Sequence, residues 1–140
     1  MQDHTLREEL YASLSDIYHL EAFAALEDLM QGETMVLQYL LLHHEQEIYP
    51  SDLSRDLRLS RSRITGALSS LRAKGYVETE HDQEDRRRVR VFITHQGTAL
   101  ILEKFRLMND YFDQMIAGLG QEDTTSLIRI IRRCVEVMHT

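Results

Sequence analysis

Four guanidinium groups crowd one short stretch, Arg86, Arg87, Arg88 and Arg90, directly behind the carboxylate of Asp85. A second set of cations and hydroxyls precedes them: Ser60, Arg61, Ser62, Arg63 and Thr65, then Ser69 and Arg72. A guanidinium stays charged and offers a planar fork of donors that suits phosphate or a guanine edge. Ser and Thr hydroxyls bond phosphates or either base, and the Thr methyl can meet a thymine methyl. Such a set binds a polyanion; it does not make or break bonds. The charge distribution agrees. Residues 51–100 carry ten Lys/Arg against seven Asp/Glu, while residues 1–50 carry one against ten and residues 101–140 five against six. A net charge of −7 and a pI near 5.4 conceal this cationic middle.

The surrounding pattern says which elements hold these side chains. A turn from Glu45 to Pro50 leads to Ser51, an expected N-cap for a short helix bearing Leu53 and Leu57. Arg58-Leu59-Ser60 is a tight connection with Ser60 as the next N-cap. The helix after it turns Ile64, Ala67, Leu68 and Leu71 inward and Arg61, Ser62, Thr65, Gly66, Ser69 and Arg72 outward, then stops at Lys74-Gly75. From Tyr76 to Glu80 the period becomes that of a strand. A polar turn, His81 to Asp85, follows, and Val89, Val91 and Ile93 then alternate with Arg88, Arg90 and Phe92. Two helices joined by a short turn and followed by a hairpin make a winged helix-turn-helix. Its second helix suits the major groove of a duplex, and the hairpin reaches the adjacent minor groove.

Outside this region the apolar spacing is helical. One long amphipathic helix is expected from about Leu6 to Leu29 through Leu10, Leu14, Ile17, Leu20 and Phe23, and another from Glu33 to His44 after a break at Gly32. A long helix from Gly97 has Leu100, Ile101, Phe105, Met108, Phe112, Met115 and Leu119 as its buried side. It ends at Gly118-Leu119-Gly120, before a last helix with Leu127, Ile130, Ile131, Cys134, Val135 and Met138. With 140 residues, 43% hydrophobic, one Pro and six Gly, a single mainly α (α+β) domain is expected. No apolar run approaches the roughly 18–20 residues of a membrane span. Met1-Gln2-Asp3-His4 lacks the build of an export signal, and one Cys cannot form an internal disulfide, so the cytoplasm is the expected compartment.

Leu53 to Thr65, Leu71 to Val77 and Asp82 to Gly97 together resemble the MarR family of bacterial transcription regulators. The family's wing pattern falls on Asp85, Arg87, Val89, Ile93, Thr94 and Gly97, with Ile93 where Leu is usual. The resemblance covers nearly the whole chain. It implies one MarR-like domain over 1–140, a winged helix-turn-helix DNA-binding region over 33–97, and long dimerisation helices over 1–31 and 98–140. It further implies a cytoplasmic homodimer on a pseudo-palindromic operator in double-stranded DNA, a repressor released by a small-molecule effector. The DNA-binding candidates are then Ser60, Arg61, Ser62, Arg63, Thr65, Ser69, Arg72, Asp85, Arg86, Arg87 and Arg88. Arg87 stands at the family's arginine position for the minor groove, and Asp85 orients a neighbouring arginine. Gly66 departs from many relatives, which carry a longer side chain there.

Arg88 and Arg90 have a second reading, as backbone contacts or as partners of Glu78 and Glu80 on the facing strand. His19, Phe23 and Tyr39 are the candidates for an effector pocket, though packing accounts for most of the aromatic set Tyr11, Tyr18, Phe23, Tyr39, Phe105, Tyr111 and Phe112. Cys134 reads as a small core or interface hydrophobe. His43-His44 with Glu45 and Glu47, approached by His19 or His4, supply ligand atoms without a recognised metal spacing, so no metal and no cofactor is expected. No nucleophile elbow or phosphate-binding glycine loop is present, which argues against an enzyme. Two rivals stay open at this level, a helical protein-interaction module on the same fold and a metal-responsive regulator.

Overall fold

The computed structural model describes residues 2–139. Its elements are α1 (Gln2–Tyr18), α2 (Glu21–Leu29), α3 (Gly32–Leu42), α4 (Pro50–Leu57), α5 (Arg61–Ala73), β1 (Val77–His81), β2 (Val89–Ile93) and α6 (His95–Met138). The chain is mainly helical with one two-stranded antiparallel sheet.

The core lies between Leu29 and Ile101. Val36, Leu37 and Leu40 of α3 meet Ile48, Leu53 of α4, Ile64, Leu68 and Leu71 of α5, Val77 and Val91 of the hairpin, and Ile101 of α6. These are the inward positions expected for α4, α5 and the hairpin. The strand register places Val77 opposite Ile93 and Thr79 opposite Val91, so the apolar side of the pleat covers α5 and α3. Outside that span the protomer is open. No residue of α1 is buried, and Ile128, Ile130, Ile131 and Val135 near the end of α6 are exposed.

Several expected boundaries move. The helix expected over Leu6 to Leu29 is two helices, because Leu20 takes extended backbone (φ −74, ψ 144) and its carbonyl starts α2. The apolar stripe continues through the break, which hides it, while the bend lets α2 pack on α6. The N-cap of α4 is Tyr49, not Ser51. Pro50 occupies the first helical position, where its fixed φ fits and its missing N–H is not needed, and the Tyr49 N–H donates to Asp52 Oδ2 at 2.9 Å. Helix α3 stops at Leu42, with the His43 N–H on the Tyr39 carbonyl. Helix α6 starts at His95, two residues before Gly97, because the Thr94 hydroxyl caps it by accepting from the Gly97 N–H at 3.0 Å. It continues through Gly118, and only Gly120 (φ 85, ψ 166) leaves helical geometry. Cys134 is exposed, so of its two readings the core one falls and the interface one stays open. Among the described residues no helix is long and apolar enough to cross a membrane.

Candidate nucleic-acid interface

The Ser60 Oγ accepts from the Arg63 N–H at 3.1 Å and caps α5, as expected from its type and position. This leaves the first turn carrying Arg61, Ser62, Arg63 and Thr65 on an exposed surface, with Ser69 and Arg72 further along it. Among the described residues neither Arg61 nor Arg63 meets a carboxylate. A Cβ added at Gly66 would touch nothing within 4 Å, so this face is open there. The turn before α5 is closed by Arg58 in the left-handed region (φ 55) and by the Ser54 hydroxyl donating to the Leu59 carbonyl at 2.6 Å. At the other end Gly75 (φ 84) ends the helix, and Ser70 Oγ and Lys74 Nζ both reach Glu33 Oε1, at 2.9 and 3.1 Å, tying α5 to α3. Arg72 Nη1 donates to Thr79 Oγ1 at 3.4 Å, so it also links α5 to β1.

The wing tip is built by two aspartates. Asp85 Oδ1 accepts from both the backbone N–H and the Nε of Arg87, at 3.1 and 3.2 Å. The Arg87 side chain remains 92% exposed. Asp82 Oδ1 accepts from the Glu84 N–H at 3.0 Å, and this bond holds its carboxyl below the ordinary carboxylate range. Arg86 is exposed, and its carbonyl lies 2.8 Å from His81 Nδ1.

Arg88 and Arg90 do not pair with Glu78 and Glu80. Although Glu80 is opposite Arg90 in the ladder, Arg90 Nη1 donates to Glu47 Oε1 at 3.0 Å, and Arg88 lies over the Tyr49 ring with its Cζ 3.9 Å from the centroid. Both partners come from the segment before α4, which also joins the sheet: the Val91 N–H donates to the Ile48 carbonyl at 2.8 Å. That segment gave no local signal in the sequence, because its link to the wing is tertiary.

His19, Phe23 and Tyr39 do not form one pocket. His19 lines an open cleft with Leu20, Glu21, Ala22, Tyr111, Gln114 and Met115, and Phe23 packs on Tyr18. Tyr39 faces α4, where its hydroxyl donates to Asp56 Oδ2 at 2.5 Å and its ring stacks on His43. That bond pushes the Tyr39 pKa up to about 12, and Asp56 is held below its ordinary 3.8 by Arg55 first and Tyr39 second. A lowered carboxyl stabilises the fold above its unfolded value and loses that contribution as pH falls through the folded value. Asp56→Asn is therefore less stable than the parent at neutral pH, and the gap closes in acid. Urea melts at both pH values check this. Among the described residues no three His, Cys, Asp or Glu side chains converge as a metal site; Glu47 is taken up by Arg90.

A capped helix with an exposed basic first turn, joined by Gly75 to a hairpin with an arginine at its tip, defines a winged helix-turn-helix protein. Residues 28–88 match the sequence model of the MarR family. The HTH-type transcriptional repressor YetL of Bacillus subtilis is 30% identical over 102 residues, which is 69% of this chain and 60% of YetL. The chain thus spans less than two thirds of that relative's length. The YusO protein of Bacillus subtilis has the same fold, with a TM-score of 0.73 at 17% identity over 95% of this chain and 96% of YusO. So does a variant of S. aureus MepR bound to an oligodeoxyribonucleotide, with a TM-score of 0.65 at 18% identity over 94% of this chain and 97% of MepR. Residues 28–88, which hold the helix-turn-helix and most of the hairpin, are thus the part of the chain that is similar to the MarR family.

Proposed function

We propose that this chain is a sequence-specific regulator of transcription that binds double-stranded DNA as a homodimer and acts by binding, not by catalysis. The observation that carries this reading is the pair of exposed cationic elements, the first turn of α5 and the Arg87 tip, mounted on one buried core. Helix α5 enters the major groove, where Arg61, Ser62, Arg63 and Thr65 face base edges, while Ser69 and Arg72 track the backbone. Arg87 enters the adjacent minor groove, where a narrow A·T-rich segment concentrates negative potential. A relative named as a repressor and a structural neighbour bound to an oligodeoxyribonucleotide support it.

The division of labour follows. Residues 33–97 read DNA, and residues 1–31 and 98–140 pair two protomers through the apolar stripes that α1 and the end of α6 leave uncovered. Two copies then face half-sites of a pseudo-palindrome about 34–36 Å apart. A small-molecule effector that favours any other spacing releases the DNA, which makes the chain a ligand-released repressor of the cytoplasm. The cleft lined by His19 and Tyr111 is the candidate seat of that effector.

The test is the salt dependence of duplex binding. Each phosphate neutralised adds about 0.9 to the magnitude of the log–log slope. Arg87→Ala is expected to weaken binding and to lower that slope, measured by fluorescence anisotropy. A variant with the parent's affinity and slope removes Arg87 from the interface.

A further inference from the structure

Resting on the DNA-binding reading above, we propose that Tyr49 is a positioning residue. With Glu47 and Ile48 it braces the wing, so that Arg88 and Arg90 aim Arg87 instead of touching DNA themselves. The brace begins in the helix-turn-helix. Tyr49 caps α4 and its N–H is held by Asp52, so the ring is fixed to the first helix of the pair, which packs on α5. From there it reaches the hairpin along three lines. The buried Ile48 accepts the Val91 N–H and adds a third rung beside β2. The Tyr49 ring carries the Arg88 guanidinium on its face. The Tyr49 hydroxyl lies 3.2 Å from Asp82 Oδ2 and 3.3 Å from Glu47 Oε2, and donates to one of them at a time.

Each contact lands where it controls the tip. Asp82 holds the start of the turn through the Glu84 N–H, and the Asp82 N–H bonds the Arg88 carbonyl at 2.9 Å, closing the turn from which Arg87 projects. Arg90 is committed inward, while Arg88 stays exposed but lies on the Tyr49 ring. The Arg90 side chain is only 22% exposed, one end is bonded to Glu47, and its Nε is buried without an acceptor among the described residues. A guanidinium meant for phosphate keeps its outer donors in water until DNA arrives, as Arg87 does: only its Nε is held, by Asp85, and the side chain stays 92% exposed. Burying an unsatisfied donor is unfavourable, so Arg90 holds its place through Glu47 and the packing of its stem.

A positioning residue acts only through what it positions, and this supplies the test. Without the brace the wing samples many poses, and affinity falls by the fraction that still presents Arg87 correctly. Tyr49→Ala and Arg88→Ala are each introduced into the parent chain and into Arg87→Ala, and binding to a duplex selected from genomic fragments is measured against salt. In the parent background each weakens binding about five- to tenfold, the scale of a lost cation–π contact. In the Arg87→Ala background each changes binding less than twofold. Tyr49→Phe keeps the ring under Arg88 and loses only the hydroxyl line to Asp82, so it weakens binding less than Tyr49→Ala.

An equal loss in both backgrounds overturns the proposal, since it would mark a general structural role or a separate DNA contact. So does an Arg88→Ala variant whose salt slope falls as far as that of Arg87→Ala, because Arg88 would then be neutralising phosphate. If Tyr49→Ala does not fold, Arg88→Ala, altered at an exposed side chain, decides alone. A parent chain that ignores duplex DNA defeats the functional reading itself, an outcome distinct from both.

Discussion

A chain carrying Leu10→Glu and Leu14→Glu sediments as a monomer and loses roughly 10²- to 10⁴-fold in affinity for a duplex long enough to hold two half-sites. The reason lies in α1. Leu6, Leu10 and Leu14 recur every four residues, which places them on one side of the helix, and they are 61%, 61% and 58% exposed on the protomer. Nothing among the described residues of the same chain covers them. Ile128, Ile131 and Val135 of α6 are bare as well, so a second copy is the natural cover. Burying such side chains is worth about 25 cal/mol per Å² of apolar surface removed from water. Placing two carboxylates in that seam removes the gain and adds the desolvation cost of buried charge. The DNA loss follows because one recognition unit no longer benefits from the high local concentration of its partner. Glu9→Gln, off the stripe, is the control and leaves both properties unchanged. A double variant that remains dimeric removes α1 from the interface.

Gly97→Ala destabilises the fold by about 3 kcal/mol, the upper end for overpacking a well-filled site. An added Cβ would lie 2.2 Å from the Tyr76 carbonyl oxygen and 3.0 Å from Ile93 Cγ1. Neither neighbour can give way easily. The Tyr76 carbonyl accepts the Thr94 N–H at 3.0 Å, and the Tyr76 N–H is held by the Leu71 carbonyl at 2.9 Å. The Thr94 hydroxyl also donates to the Gly75 carbonyl at 2.7 Å. Gly97 thus sits where the end of α5, the exit of β2 and the start of α6 converge, and bare backbone is what lets them meet. Gly118→Ala gives the opposite sign. No atom lies within 4 Å of its added Cβ, and Ala is favoured over Gly in a helix by about 0.8–1 kcal/mol. Denaturant melts at one fixed protein concentration measure both. A Gly97→Ala variant as stable as the parent contradicts the packing described.

The recognition helix and the wing register were legible because their signals are local. Ser60 and Gly75 mark the two ends of α5 by type, and Val89, Val91 and Ile93 mark the inner side of β2 by a period of two. The segregation of arginines into residues 51–100 needed only counting. What stayed hidden depends on long-range contact. Glu47 and Tyr49 lie about forty residues before the arginines they hold, and no spacing rule connects them. Position along the ladder suggested Glu78 and Glu80 instead, but strand neighbours lose to a partner that approaches from outside the sheet. The break at His19-Leu20 was masked because the apolar stripe continues past it. Tyr39 joined the candidate pocket as an aromatic on a helix, whereas its hydroxyl is committed to Asp56.

Sedimentation of the purified chain with a duplex recovered from genomic fragments is the most direct measurement of all. Two protomers on each duplex are predicted, with an affinity that falls about 10³-fold or more between 50 and 200 mM salt, as for some six phosphate contacts or more. A chain that stays monomeric, or that binds duplex DNA with no dependence on salt, contradicts it.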